Sequence, residues 1–178
     1  ALPGPHQVMN AGAAIAALRA LGKDEAACEA AVTKATWPAR MERLTTGALV
    51  DLAAPAELWL DGGHNPAAGR ALAATLRQQP AKETHLICGL LNTKDIGGYL
   101  RPLAEIADSL TGVSIPGEKH TIPADQTAEE AGKVGLKAQT ADSVAAAIRQ
   151  ITDHSPRARI LICGSLYLAG DVMRENER

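Results

Sequence analysis

Apolar positions along this chain follow two different periods. Near the start, Val8, Ala11, Ala14, Ile15, Leu18 and Leu21 recur at helical spacing and predict a helix over 8–21. Gly22 is placed to cap it. Asp24, with Glu25 in the first turn, opens a second helix over 24–34. Thr36-Trp37-Pro38 ends this helical lead-in, because proline cannot continue the hydrogen-bond ladder. After Arg40 the pattern changes. Short apolar runs at 48–52, 57–60, 85–91, 110–115, 136–138 and 159–163 read as strands, the first two joined as a hairpin by an Ala/Pro-rich turn. Helical patterns at 66–78, 96–107, 124–133, 141–151 and 166–174 lie between the later runs. This alternation predicts an α/β fold, a mostly parallel sheet with helices on both faces. The continuous runs Leu86-Ile87-Cys88 and Ile160-Leu161-Ile162-Cys163 fit strands buried on both sides.

Composition narrows the class. The 178 residues suffice for one sizeable α/β domain and a short appendage. Apolar residues make up 46% and charged residues 21%, as expected for a packed soluble core. There is no phenylalanine, so Leu, Val, Ile and Ala must fill that core. The net charge of −2 gives no footprint for nucleic acid or for an anionic membrane. No run approaches the length of a membrane span, and no signal peptide is visible. Cys28, Cys88 and Cys163 are far apart and form no CxxC pair, which argues against a zinc knuckle or a disulfide framework and suits a reducing cytoplasm. The first residue is Ala1 rather than Met, so further sequence upstream is expected.

Open α/β sheets bind ligands beyond the carboxyl ends of their strands. The segment after the 57–60 run is Asp61-Gly62-Gly63-His64-Asn65-Pro66. Asn65 as N-cap and Pro66 in the first turn make a good helix start. The two glycines let the backbone approach a ligand, and the helix N-terminus offers N–H groups to an anion. Asp61 can accept from ribose hydroxyls, and His64 can donate to a phosphate or carboxylate oxygen. An Asp-Gly turn with a solvated histidine is the competing reading, and the residues alone leave both open. Arg40 could clamp a phosphate or simply pair with Glu42. Asn10, a mediocre helix former inside the first helix, hints at a side-chain duty. Asp95, after Lys94, could serve only as a helix cap. His85, His120 and His154 lie at strand edges or in loops and read as structural or solvated. There is no GxxxxGK[ST] phosphate loop, no GxGxxG fingerprint and no carboxylate or histidine cluster that would make a metal site.

Several motifs occur in a fixed order: His6-Gln7-Val8-Met9-Asn10-Ala11, Trp37-Pro38-Ala39-Arg40-Met41-Glu42, Leu60-Asp61-Gly62-Gly63-His64-Asn65-Pro66 and Ile162-Cys163-Gly164-Ser165-Leu166-Tyr167-Leu168-Ala169-Gly170. Gly89-Leu90-Leu91-Asn92-Thr93-Lys94-Asp95 and Ile115-Pro116-Gly117-Glu118 join them. The set resembles the C-terminal part of folylpolyglutamate synthase/dihydrofolate synthase, a branch of the Mur-ligase superfamily, over nearly the whole chain. The resemblance implies a Rossmann-like Mur-ligase C-terminal domain over 37–178, preceded over 1–36 by the helical tail of a central ATPase domain. It implies an ATP- and magnesium-dependent ligase that joins L-glutamate to a folate or pteroate carboxylate through an acyl phosphate. It places Asn10 at adenine, Arg40 at the ATP phosphates, Asp61 at the ribose, His64 at the reacting centre, and Ser165 and Tyr167 near the glutamate pocket. Lys94 and Asp95 look family-like without an assigned role.

The chain departs from that family in three ways. Phosphate loop, magnesium ligands and modified lysine would all lie upstream, so these residues alone are not expected to catalyse ligation, and no metal site is expected within them. Gly63 stands where the family usually has alanine. The gap between Arg40 and Asp61 is longer than in some relatives, which a hairpin over 44–56 would accommodate. The resemblance further implies a cytoplasmic monomer acting on small molecules, with neither nucleic-acid nor membrane partners. A cell-wall Mur-type amino-acid ligase and a non-catalytic nucleotide- or amino-acid-binding module are the competing readings.

Overall fold

The computed structural model describes residues 2–92 and 95–177. Two helices come first: α1 (His6–Ala20) and α2 (Glu25–Thr33). Gly22 adopts φ +73, and Lys23 N–H closes back onto Leu18 O at 3.0 Å, a left-handed helix end of the kind glycine favours. Asp24 caps α2 by accepting from Ala27 N–H at 2.8 Å. The rest of the chain alternates: β1 (Glu42–Leu44), α3 (Ala48–Ala53), β2 (Glu57–Leu60), α4 (Pro66–Arg77), β3 (Thr84–Cys88), α5 (Ile96–Ala104), β4 (Ser109–Gly112), α6 (Ala124–Lys133), β5 (Ala138–Thr140), α7 (Val144–Thr152), β6 (Arg159–Cys163) and α8 (Leu166–Asn176).

These strands form one six-stranded sheet in the order β1-β2-β6-β3-β4-β5. The β1–β2 pair is antiparallel, and every other pair is parallel. The period-2 alternation of the strands sorts the core onto two faces. Leu58, Leu60, Ile87, Ile160 and Ile162 face one layer with α3, α7 and α8. Leu86, Cys88, Leu110, Leu161 and Cys163 face the other with α4, α5 and α6. The expected α/β sheet covered on both faces is therefore present.

The expected hairpin is not. Residues 48–52 form α3 rather than a strand, and the antiparallel partner of β2 is β1 instead. A short apolar run has no decisive period of its own. Here tertiary contact settles it. The Asn176 side chain, at the far end of the chain, accepts from Leu49 N–H at 3.0 Å and Val50 N–H at 3.3 Å, and donates to Thr46 O at 2.8 Å. It caps α3 from α8, a service that no residue near position 48 performs. The short strand expected at 136–138 is shifted to 138–140, because Leu136 turns into the core while the strand itself lies on an exposed sheet edge.

Candidate functional site

The strand order places the site. Strand β6 lies between β2 and β3, although α4 leads directly from β2 to β3. Leaving their carboxyl ends, β2 and β6 send α4 and α8 to opposite faces of the sheet. Such a divergence opens a crevice between neighbouring strands, where α/β folds bind ligands. Leu60 pairs with Ile162, and Asp61 N–H donates to Ile162 O at 3.0 Å. The loop carrying His64 therefore lies beside the loop carrying Ser165.

On the β2 side, Asn65 caps α4 by accepting from Ala68 N–H at 2.9 Å, with Pro66 in the first turn, as the sequence predicts. A Cβ at Gly62 would lie 2.2 Å from Leu166 Cδ2 and 3.3 Å from Arg40 Nη1, so a side chain there would have to displace the exposed Leu166 side chain. The Asp61 carboxylate is only 6% exposed. Its Oδ1 accepts from Gly63 N–H at 2.6 Å and its Oδ2 from Met41 N–H at 2.8 Å. Burial pushes this carboxyl above the usual carboxylate range, against the pull of those two N–H groups and of Arg40. Asp61 thus fastens the glycine loop to the Arg40 turn.

The half-buried His64 ring places Nδ1 3.1 Å from Gly62 O. A carbonyl only accepts, so Nδ1 carries the proton and neutral His64 presents Nε2 as an acceptor. Donation from Nε2 to a phosphate, as considered from sequence, requires the imidazolium. Arg40 is half-buried, with Nη1 donating to Ala39 O at 3.0 Å. Pairing between Arg40 and Glu42, the competing reading of the sequence, is not seen. Glu42 Oε2 instead accepts from Ala39 N–H at 2.8 Å.

Two clefts meet at this edge. One, of about 320 Å³, is lined by Asn10, Arg40, Asp61, Gly62, Gly63 and His64, together with His6 and Gln7. A smaller one, of about 100 Å³, is lined by His64, Leu91, Gly164, Ser165, Leu166 and Tyr167. All six candidate residues line one cleft or the other, and His64 lines both. Ser165 is 3% exposed and caps α8, its Oγ accepting from Tyr167 N–H at 3.0 Å. The Tyr167 side chain is exposed. Asn10 Nδ2 donates to Gln7 Oε1 at 2.9 Å, and Gln7 contacts His6 at 3.0 Å. Sequence reasoning gave His6 and Gln7 no role of their own. Their spacing from Asn10, one turn along α1, was the available signal. Asp95 caps α5 by accepting from Gly98 N–H at 2.8 Å, and Lys94 lies outside the described residues. Among the described residues, no group of three His, Cys, Asp or Glu could hold a metal ion.

The six-stranded, mostly parallel sheet with helices on both faces defines an α/β domain. Residues 39–166 match the family described as Mur ligase, glutamate ligase domain, and the chain belongs to that family. It is 30% identical over 96% of its length to a probable bifunctional folylpolyglutamate synthase/dihydropteroate synthase of Haloferax volcanii, covering 20% of that protein. It is 26% identical over 97% of its length to a probable dihydrofolate synthetase of Schizosaccharomyces pombe, covering 43% of it. Its fold is similar to Mycobacterium tuberculosis folylpolyglutamate synthase complexed with ADP, with a TM-score of 0.85 and 30% identity, over 99% of this chain and 41% of that one. The chain thus spans less than half the length of each of these relatives. Among the described residues, no helix is long and apolar enough to cross a membrane.

Proposed function

We propose that this chain forms the C-terminal, nucleotide- and glutamate-facing part of an ATP-dependent ligase that joins L-glutamate to a folate or pteroate carboxylate. The observation that carries this reading is the position of His64, the one residue common to the two clefts. In this reading the larger cleft takes the nucleotide. Asn10 meets adenine, Arg40 the phosphates, and the cleft-facing lone pairs of Asp61 the ribose. The half-buried guanidinium of Arg40, which forms no ion pair among the described residues, suits a phosphate. Ser165 and Tyr167 border the smaller cleft, where the glutamate would sit.

ATP would supply activation of the folate carboxylate as an acyl phosphate. The chain's own contribution is to hold the glutamate amine beside that centre and to take up the proton released when the amine attacks. In this reading His64 Nε2, left as an acceptor by the Nδ1–Gly62 hydrogen bond, would take up that proton.

In this proposal α1 and α2 are the tail of a central ATPase domain, and residues 37–178 are the C-terminal domain. Helix α1 supports this division: it buries none of its residues, and Val8 and Met9 are 73% and 77% exposed. An apolar helix of this kind belongs against further protein. The phosphate loop and magnesium ligands are assigned to other parts of a longer, cytoplasmic, monomeric protein, and the isolated chain is expected to be inactive. The test is glutamate addition to dihydropteroate or tetrahydrofolate by the full-length protein. His64→Ala should lower kcat by at least about a hundredfold, the scale of a lost acid–base group. Near-normal turnover in that variant would refute the assignment.

A further inference from the structure

The segment that presents Arg40 is strained. Ala39 has φ 53 and Met41 φ 44, the only non-glycine residues with positive φ among those described. Each costs roughly 1–2 kcal/mol relative to an ordinary backbone, and such residues persist only where their surroundings hold them. They flank Arg40 on both sides.

Three hydrogen bonds fasten this turn. Ala39 N–H donates to Glu42 Oε2 at 2.8 Å, and Met41 N–H to Asp61 Oδ2 at 2.8 Å. Gly62 N–H donates to Ala39 O at 2.9 Å, the same carbonyl that receives Arg40 Nη1 at 3.0 Å. Ala39 and Met41 are each 3% exposed, which limits the access of water to these N–H groups. Asp61 is anchored through its own N–H to β6. Glu42 is anchored as the first residue of β1, in register with Leu60. Without the Glu42 carboxylate, a buried N–H loses its acceptor and the left-handed conformation of Ala39 loses a main support.

We propose that Glu42 is a positioning residue for Arg40: its carboxylate holds the strained turn that keeps the Arg40 guanidinium at the nucleotide cleft. This rests on the reading of Arg40 as a phosphate contact. Glu42 itself does not line that cleft, so its effect is transmitted through the Ala39–Arg40 backbone. Reach, rather than charge, is what the role requires.

The test uses the full-length protein, with ATP KM, glutamate KM and kcat measured for each variant. Arg40→Ala raises ATP KM about tenfold or more, a loss of one charged phosphate contact. Glu42→Asp keeps the charge but draws the carboxylate back by one methylene, and it also raises ATP KM about tenfold while leaving glutamate KM within threefold. Glu42→Gln keeps an acceptor at the original reach and stays within about threefold of the unmodified enzyme. Combining Glu42→Asp with Arg40→Ala adds nothing to the effect of Arg40→Ala, because the two act as a unit. If Arg40→Ala raises ATP KM while Glu42→Asp does not, the positioning role is wrong and the reading of Arg40 survives. Impaired Glu42→Gln beside a normal Glu42→Asp would overturn it too, since charge would then matter. Additive losses in the double variant would likewise overturn it. An unchanged ATP KM in Arg40→Ala would instead overturn the functional reading beneath it.

Discussion

The Asp61 carboxylate accepts the Met41 backbone N–H at 2.8 Å, joining two loops twenty positions apart. Its other oxygen accepts Gly63 N–H at 2.6 Å. One buried side chain thus joins the Arg40 turn to the glycine loop at the larger cleft. Asparagine fits the same space, but its amide oxygen can accept only one of these bonds, and its NH₂ group must face the other N–H. Asp61→Asn is therefore expected to destabilise the protein by about 1–3 kcal/mol, the cost of an unsatisfied buried donor. Urea unfolding measures it, and an unchanged midpoint would show that the two bonds are dispensable.

Two carboxylates on β2 and its continuation should respond to pH with opposite signs. Burial raises the Asp61 pKa, so the folded state holds that proton more tightly than the unfolded chain does. Its contribution to stability falls as pH rises from about 3.9, the unfolded value, through the higher folded value. Glu57 is shifted the other way, chiefly by the hydrogen bond from Lys82, with Trp59 and Arg43 assisting. Its contribution is present above about 4.3 and is lost as pH falls through the lower folded value. Stability of the unmodified protein relative to Asp61→Asn should fall as pH rises above about 3.9, while stability relative to Glu57→Gln should fall as pH drops below about 4.3. Parallel curves would contradict the assignment.

Glycine positions divide by what a methyl group would strike. At Gly69, on α4, a Cβ would lie 2.2 Å from the Tyr99 carbonyl oxygen of α5, a backbone atom that cannot step aside. Gly69→Ala should cost about 1–3 kcal/mol by forcing the helices apart. Gly132, in the last turn of α6, has nothing within 4 Å. There the same substitution should be neutral or stabilise by up to about 1 kcal/mol. Thermal melts of the two variants should move in opposite directions or differ by several degrees.

The tie between α8 and α3 is also measurable. Asn176→Ala removes two acceptor contacts and one donor contact at the start of α3. A loss of about 1–2 kcal/mol is expected, the usual scale for a helix cap. Hydrogen exchange should show the loss concentrated in residues 48–53, and uniform loosening would point to a different role for Asn176.

Helix α1 gives a prediction that separates the chain from a longer protein. Val8, Met9 and Leu21 are 73%, 77% and 75% exposed. In the isolated chain, α1 amides should exchange well before those of α4, whose Leu72, Ala73 and Leu76 are buried. In the full-length protein the α1 amides should become protected. Equal exchange in both would remove the support for a neighbouring domain at α1.

Much of this was legible in order along the chain. Alternating apolar periods indicated the α/β class, because a strand buried on both faces carries a continuous apolar run, as Leu86-Ile87-Cys88 of β3 and Ile160-Leu161-Ile162-Cys163 of β6 do. Asn65-Pro66 marked the start of α4, because capping is a local event. The site motif was visible for the same reason: its glycines and its cap are neighbours in sequence. What lay beyond sequence were relations across long separations. A run of six residues became α3 because Asn176 caps it from the other end of the chain. His64 and Ser165 became neighbours because β6 inserts between β2 and β3, which no local pattern encodes. Glu42, considered from sequence as a partner for Arg40, instead accepts Ala39 N–H, and Asp61, besides its proposed ribose contact, accepts the N–H groups of Met41 and Gly63. Local spacing determines which residues can cap, turn and alternate; only the folded sheet decides which loops meet and which buried polar groups must serve one another.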